Sequence, residues 1–196
     1  MKFRMASSTD VPELLEIYRP YVEKTAITFE YETPTKEVFL ERFLDVTSRC
    51  PWLVCEKQGM ILGYAYADRA FIRAAYGWDA DFSVYLREEM RGRGLGRRFY
   101  ALLERMVETQ GYQVVYGLVT SDNEASCRFH EAVGYRKAAY FPDCGFKLGR
   151  WHGVTWYEKR LCRPSAPAAM PTANPKMDWS RMDLSGLADG CEIQLV

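Results

Sequence analysis

Histidine is scarce in this chain: His130 and His152 are the only two among 196 residues. The six cysteines (Cys50, Cys55, Cys127, Cys144, Cys162 and Cys191) are scattered, with no C-x-x-C pair. Together these absences remove the usual ligand patterns of a structural zinc site, and no metal is expected. The cysteines read as reduced, mostly buried thiols. Net charge is lacking too. Twenty-six basic residues balance 26 acidic ones, so no global field recruits nucleic acid or an anionic membrane. There is no run long and apolar enough to span a bilayer, and no apolar segment of signal-peptide type at the N-terminus, so a soluble, cytoplasmic protein is expected. No internal repeat is present.

Two common phosphate-binding patterns are also missing. The P-loop G-x-x-x-x-G-K-[ST] does not occur, and G-x-G-x-x-G fails because Arg97 follows Gly92 and Gly94 where a third glycine is required. What is present is a dense arginine–glycine turn. Between Arg87 and Arg98 there are five arginines in twelve residues, and Arg91, Gly94 and Gly96 fit R-x-x-G-x-G. A strand-like stretch precedes the turn, and an amphipathic helix with Leu95, Phe99, Leu102, Leu103, Met106 and Val107 on one face follows it. Such a turn suits a pyrophosphate, because free N–H groups and the positive end of the helix dipole face the anion. Glycine permits close approach and backbone angles barred to other residues.

Hydrophobic residues make up 48% and charged residues 27%, enough for a substantial core. Lys2–Ala6 alternates as a short strand. Asp10 and Glu13 fit a capping box, and Leu14 to Val22 has helical spacing that Pro20 should break or kink. Residues 25–33 (TAITFEYET) have no helical period and form an ordered loop that offers Phe29 and Glu30 to a pocket. A second helix starts at Thr35 with Val38, Phe39, Phe43 and Leu44 inward, and stops before Pro51. Trp52–Glu56 and Met60–Asp68 form a hairpin about Gln58-Gly59. Trp78–Leu86 is the next strand. After the long helix, which ends at Gly111, Val114–Leu118 is a strand, Asp122 or Asn123 caps a helix to Val133, and Tyr135–Phe141 and Val154–Leu161 are the last strands. The order β-α-α-β-β-β-α-β-α-β-β predicts an α/β (α+β) mixed sheet, antiparallel at first, with helices on both faces. From Arg163 the composition shifts: residues 163–176 hold four of the nine prolines and read as a linker. Trp179, Leu184, Leu187, Ile193 and Leu195 then either dock onto this or another subunit or belong to a disordered tail.

The element order, RGRGLG after a strand, and NEASCRFHEAVGY together resemble the GCN5-related N-acetyltransferases (GNAT). TAITFEYETP, DADFSVYL, CRFHEAVGY and GFKLGRWHGVTWY resemble more narrowly the phosphinothricin and methionine sulfone acetyltransferases. The resemblance covers residues 1–162 as one acetyltransferase domain and leaves 163–196 as linker and tail. It implies that acetyl-CoA is the cosubstrate. Val84, Tyr85 and Leu86 would then offer backbone groups to the pantetheine arm. Arg91, Gly92, Arg93, Gly94, Leu95, Gly96 and Arg97 would hold the pyrophosphate, and Asn123 and Ser126 would contact the rest of the cofactor. It also suggests a homodimer.

Amine acetylation needs a deprotonated amine, so a general base is required. Where the family usually has glutamate in W-x-A-E-x-x-V-Y this chain has WDADFSVY, making Asp81 the candidate, one methylene shorter and suited to act through a water. Asp79 is a lesser rival on the same side of the strand. Amides of the 84–86 segment would stabilise the thioester oxyanion. His152, in GRWHG, matches a histidine proposed as catalytic in the phosphinothricin enzymes, and His130 occupies a position where many superfamily members carry a tyrosine acid. Each also has an ordinary structural reading. Arg73 aligns with a family arginine thought to pair the acceptor carboxylate, which arginine suits by bidentate geometry. Phe29, Tyr31 and Tyr76 would wall the pocket, with Lys147 or Arg150 as further anion-pairing groups. The reading is transfer of acetyl directly to the α-amino group of a small amino acid or analogue. The alternatives are acetylation of a protein N-terminus, a lysine or a polyamine, and a non-catalytic CoA-binding module.

Overall fold

The computed structural model describes residues 1–162, 169–181, 187 and 190–195. Eight strands form one sheet: β1 (Lys2–Met5), β2 (Trp52–Lys57), β3 (Met60–Arg69), β4 (Asp79–Leu86), β5 (Val114–Thr120), β6 (Arg136–Lys147), β7 (Arg150–Arg160) and β8 (Glu192–Gln194). Their spatial order is β6-β7-β5-β4-β3-β2-β1-β8, with β4–β5 and β1–β8 parallel and the other pairs antiparallel. Four helices cover it: α1 (Val11–Lys24), α2 (Lys36–Thr47), α3 (Leu95–Gln110) and α4 (Glu124–Ala132). Among the described residues, no helix is long and apolar enough to cross a membrane.

Strand alternation sorts the helices. Phe82 meets Tyr100 edge-on and Phe3 meets Phe99, so α3 packs on the face carrying Phe3, Phe82 and Val115. Tyr85, on the opposite face, meets Tyr18 and Tyr21 of α1, and Trp52 meets Phe39 and Phe43 of α2. The core is therefore two apolar layers, one on each side of the sheet.

Several expectations are corrected. Pro20 does not break α1, which continues to Lys24. Pro20 is exposed and sits in the last turn, so only one backbone hydrogen bond is lost, on the wet side. The capping box is Ser7 with Asp10, opening a short 3-10 turn; Asp10 also pairs with Arg4 at 2.7 Å. Glu13 instead accepts from the Ile61 amide and from Arg87. The second helix starts one residue later than expected, with Thr35 as its cap accepting from the Val38 amide, but Val38 and Leu44 face solvent and Val46 joins Phe39 and Phe43 inside. The last hairpin is much longer than its apolar pattern indicates. Its turn is Leu148-Gly149, both at positive φ, and a register shift between Phe141 and Gly145 absorbs Pro142 and Asp143.

The C-terminal segment is partly ordered against the domain. Trp179 and Leu195 are buried, Leu187 and Ile193 pack at the core margin, and β8 adds a strand outside β1. Leu184 and residues 163–168 of the proline-rich stretch lie outside the described residues.

Candidate active site

The parallel β4–β5 ladder is short. It joins Asp79–Asp81 to Val114–Tyr116 and stops, while β3 stays paired with β4 through Leu86. Beyond Asp81 one edge of β4 is thus left open. The Arg87 amide bonds Leu62 on the β3 side, so Leu86 and Val84, by alternation, turn their amides and carbonyls toward the open edge. The Tyr21 hydroxyl meets Leu86 there: it accepts from the Leu86 amide at 3.0 Å and donates to the Leu86 carbonyl at 2.6 Å.

The arginine–glycine turn lies directly after this edge. Gly92 and Gly94 have φ of 70° and 77°, and a Cβ on either would meet nothing within 4 Å, so the backbone is left-handed and the space over it is open. Gly94 is the N-cap of α3 and no side chain caps the helix. Its first-turn amides have no intrahelical acceptors either, which makes a ready anion site. The nearby charge is unspent. Arg87 is paired to Glu13, whereas Arg91, Arg93 and Arg97 form no ion pair with any described carboxylate. The Arg91 guanidinium lies 4.9 Å from the Tyr21 ring centroid, tying the turn to the open strand edge. These features fit a pyrophosphate and an extended amide-bearing arm.

Across the second β–α junction, Asn123 caps α4 by accepting from the Ser126 amide at 3.2 Å. Asn123 also lines a cavity of about 310 Å³ with Lys24, Thr25, Ile27, Asp122 and His152, between the end of α1 and the β6–β7 hairpin.

Asp81 shares its face of β4 with Ser83 and Tyr85, opposite Asp68, Tyr66 and Tyr64 of β3. It is half-buried, and its carboxyl is pushed up to about 7, first by burial and then by the negative charge of Asp68. Asp68 is held by Arg49 at 3.2 Å. Asp79 is also raised, by burial, with Arg160 opposing. Sequence reasoning missed Asp68, because the nine residues between β3 and β4 hide the register that sets it opposite Asp81. Tyr21 was read only as a helix-face residue.

Neither histidine has a free ring nitrogen. His130 is buried between α4 and β5: Nδ1 bonds the Ser126 carbonyl at 2.8 Å, and Nε2 bonds the Tyr100 hydroxyl at 2.9 Å. It occupies the space over Gly117, where a Cβ would lie 2.2 Å from Nε2, and burial lowers its pKa. His152 is buried and bridges Asp122 (Nδ1, 3.0 Å) to the Lys147 carbonyl (Nε2, 3.0 Å). Arg150 pairs with the same Asp122.

The 25–33 loop is pinned to the hairpin. Lys147 is buried and donates to the Thr28 carbonyl at 2.7 Å, and Tyr31 donates to the Phe146 carbonyl at 2.6 Å. Phe29 fits over Gly145, where a Cβ would lie 2.2 Å from its ring. With Ile27, Leu118, Thr120 and Val154 it lines a small apolar cavity of about 120 Å³. Glu30 pairs with Arg42, and its second oxygen is buried without a partner. Arg73 is exposed in the β3–β4 loop and lines a hollow of about 460 Å³ with Ala70, Phe71, Ile72 and Tyr76. It too pairs with no described carboxylate. Phe71 stacks on Trp156 and meets Tyr116, the β5 neighbour of Asp81, so the hollow adjoins the Asp81 face.

A mixed sheet parted after Asp81, followed by an uncapped glycine turn, defines an acetyltransferase: residues 3–156 match the family described as Acetyltransferase (GNAT) domain, and the chain belongs to that family as an N-acetyltransferase. Among its relatives, the phosphinothricin N-acetyltransferase of Streptomyces viridochromogenes is 30% identical over 167 residues, covering 85% of this chain and 91% of that one. The L-methionine sulfoximine/L-methionine sulfone acetyltransferase of Salmonella typhimurium is 30% identical over 182 residues, covering 86% and 99%. A solved phosphinothricin acetyltransferase from Sinorhizobium meliloti, in complex with AcCoA, superposes with a TM-score of 0.81 at 28% identity, covering 87% of this chain and 92% of that one.

Proposed function

We propose that this chain transfers acetyl from acetyl-CoA directly to the α-amino group of a small amino acid or analogue, of the phosphinothricin, methionine sulfoximine or methionine sulfone type. The names of the relatives support the acceptor class, and the unpaired Arg73 guanidinium beside an aromatic hollow supports an acceptor carboxylate. The observation that carries the reading is Asp81, a carboxylate raised to about 7 where the strands part. A carboxylate with that pKa is still partly ionised at neutral pH and is a better proton acceptor than an ordinary aspartate.

Bound acetyl-CoA supplies an activated thioester. The α3 first-turn amides with Arg91, Gly92, Arg93, Gly94, Leu95, Gly96 and Arg97 would hold its pyrophosphate, and the β4 edge at Val84–Leu86 would align its arm, with the Tyr21 hydroxyl yielding the Leu86 amide and carbonyl that it holds here. Tyr85 orients that edge by packing on Tyr18 and Tyr21. Asn123 and Ser126 line the far side. Asp81 accepts the acceptor's proton through a water, since aspartate is short, and an amide of the open edge stabilises the oxyanion; as the new C–N bond is kept the C–S bond breaks, and the CoA thiolate leaves and takes up a proton. Phe29, Glu30, Tyr76 and Arg73 form the acceptor pocket. With their ring nitrogens engaged, we assign His130 to packing and His152 to holding the hairpin rather than to proton transfer.

Residues 1–162 form the catalytic domain in this reading, and we retain a cytoplasmic homodimer as part of it. The exposed Tyr140, Phe141, Phe146 and Trp151 of the β6–β7 hairpin support association of two copies. The zero net charge supports a small-molecule acceptor over nucleic acid or membrane.

The test is thiol release from acetyl-CoA with a panel of amino acids, peptides and polyamines. Turnover with methionine sulfone or phosphinothricin is expected; turnover confined to peptides or polyamines overturns the acceptor class. CoA binding without turnover overturns the enzymatic reading.

A further inference from the structure

The family match ends at residue 156, yet described residues beyond it return to the acceptor side of the domain. The Trp78 indole donates to the Ala169 carbonyl at 3.1 Å. The Met170 methyl lies against Gly77, so closely that a Cβ there would sit 2.3 Å from it. Thr172 and Gln110 exchange two hydrogen bonds at 2.8 Å, which anchors the segment to the end of α3. Asn174 donates its amide to the Arg49 carbonyl and its side chain to Thr47, which anchors it to the end of α2. Residues 169–174 are thus a strap fixed at one end to two helices and pressed at the other on Gly77 and Trp78. Those two residues close the loop that carries Arg73 and Tyr76. The loop's short 3-10 turn at Ala74–Tyr76 buries no side chain of its own.

We propose that this strap is a positioning element for acceptor binding: Ala169 and Met170 clamp the Arg73–Trp78 loop so that Arg73 and Tyr76 face the acceptor. The inference rests on the acceptor reading given above for that loop. Met170 is 55% exposed, so shortening it removes the clamp without opening the core. Gly77 has an ordinary helical φ of −62°, so the backbone angles there admit alanine; its Cβ would displace the Met170 methyl first and would also press on the Ala74 carbonyl at 3.1 Å.

The experiment measures KM for methionine sulfone and for acetyl-CoA separately in full-length Met170→Ala, Met170→Leu, Gly77→Ala, the Met170→Ala/Gly77→Ala double variant, and Arg73→Ala. Met170→Ala and Gly77→Ala are expected to raise the acceptor KM about three- to tenfold, with unchanged acetyl-CoA KM and melting temperature. The double variant is expected to match the singles rather than multiply them, and Met170→Leu to restore most of the loss. A raised acceptor KM in Arg73→Ala with none in Met170→Ala overturns the strap and leaves the acceptor reading standing. No change in either removes the acceptor reading and the strap with it. Equal rises in both KM values overturn the proposal in favour of general loosening.

Discussion

In the proposed reading, the donor and acceptor halves of this site are built from different materials. The donor half is backbone: an uncapped helix end, two left-handed glycines and an open strand edge, all within Phe82–Arg97. The acceptor half is side chains drawn from α1, the 25–33 loop, the 70–78 loop, β3, β4 and the last hairpin. A backbone site depends on a few glycines at fixed spacing and accepts almost any side chain around them. A side-chain site depends on register, on loops that meet from distant parts of the chain, and on the charge state of each group.

This contrast is tested most severely at Asp81. Asp81→Asn is expected to lower kcat by about 10²-fold or more, with acetyl-CoA affinity unchanged. The wild-type kcat/KM profile should fall on its acid side with a midpoint near 7, and the variant should lose that limb. The same change should stabilise the fold. Because burial raises the folded-state pKa, ionised Asp81 destabilises the native state, a cost absent below about 4 and complete above about 7. Asp81→Asn should therefore melt higher than wild type at pH 8 and equally at pH 3.5.

Next in size is Arg73→Ala, expected to raise KM about tenfold or more for carboxylate-bearing acceptors and to leave an uncharged amine unaffected. An equal loss with both would remove its pairing role. In the donor half, Gly94→Ala should raise KM for acetyl-CoA about fivefold and leave the acceptor KM alone, because a Cβ at φ 77° strains the turn while clashing with nothing. A change in acceptor KM there would blur the two halves. The smallest effect is Asp68→Asn. Losing its negative charge should move the acid limb down by about one unit or less, whereas Arg49→Met, which uncovers that charge, should move it up.

The same division explains what could be read from the chain. Strand–turn–helix order, the open glycine turn at Arg91–Gly96 and the Asn123 cap are local patterns, and the structure has each of them. The inward face of α2 was misread at Val38 and Leu44 because an apolar count cannot say which side of a short helix meets the sheet. The β6–β7 hairpin ran past its apolar stretch because Leu148 takes a left-handed φ usually left to glycine or asparagine. Asp68 escaped notice since only the cross-strand register gives it meaning. Both histidines became candidates through the family resemblance, yet their hydrogen-bond partners are a helix carbonyl, a buried tyrosine, a hairpin carbonyl and a turn aspartate, none of them legible from neighbours in sequence.

The added strand β8 bears on how copies of this chain can join. It covers β1, so the described sheet ends on β6 at one edge and on the three-residue β8 at the other. A strand of three residues offers little ladder for another chain to pair with, whereas β6 spans twelve residues, so the two edges are unequal templates for strand-against-strand pairing.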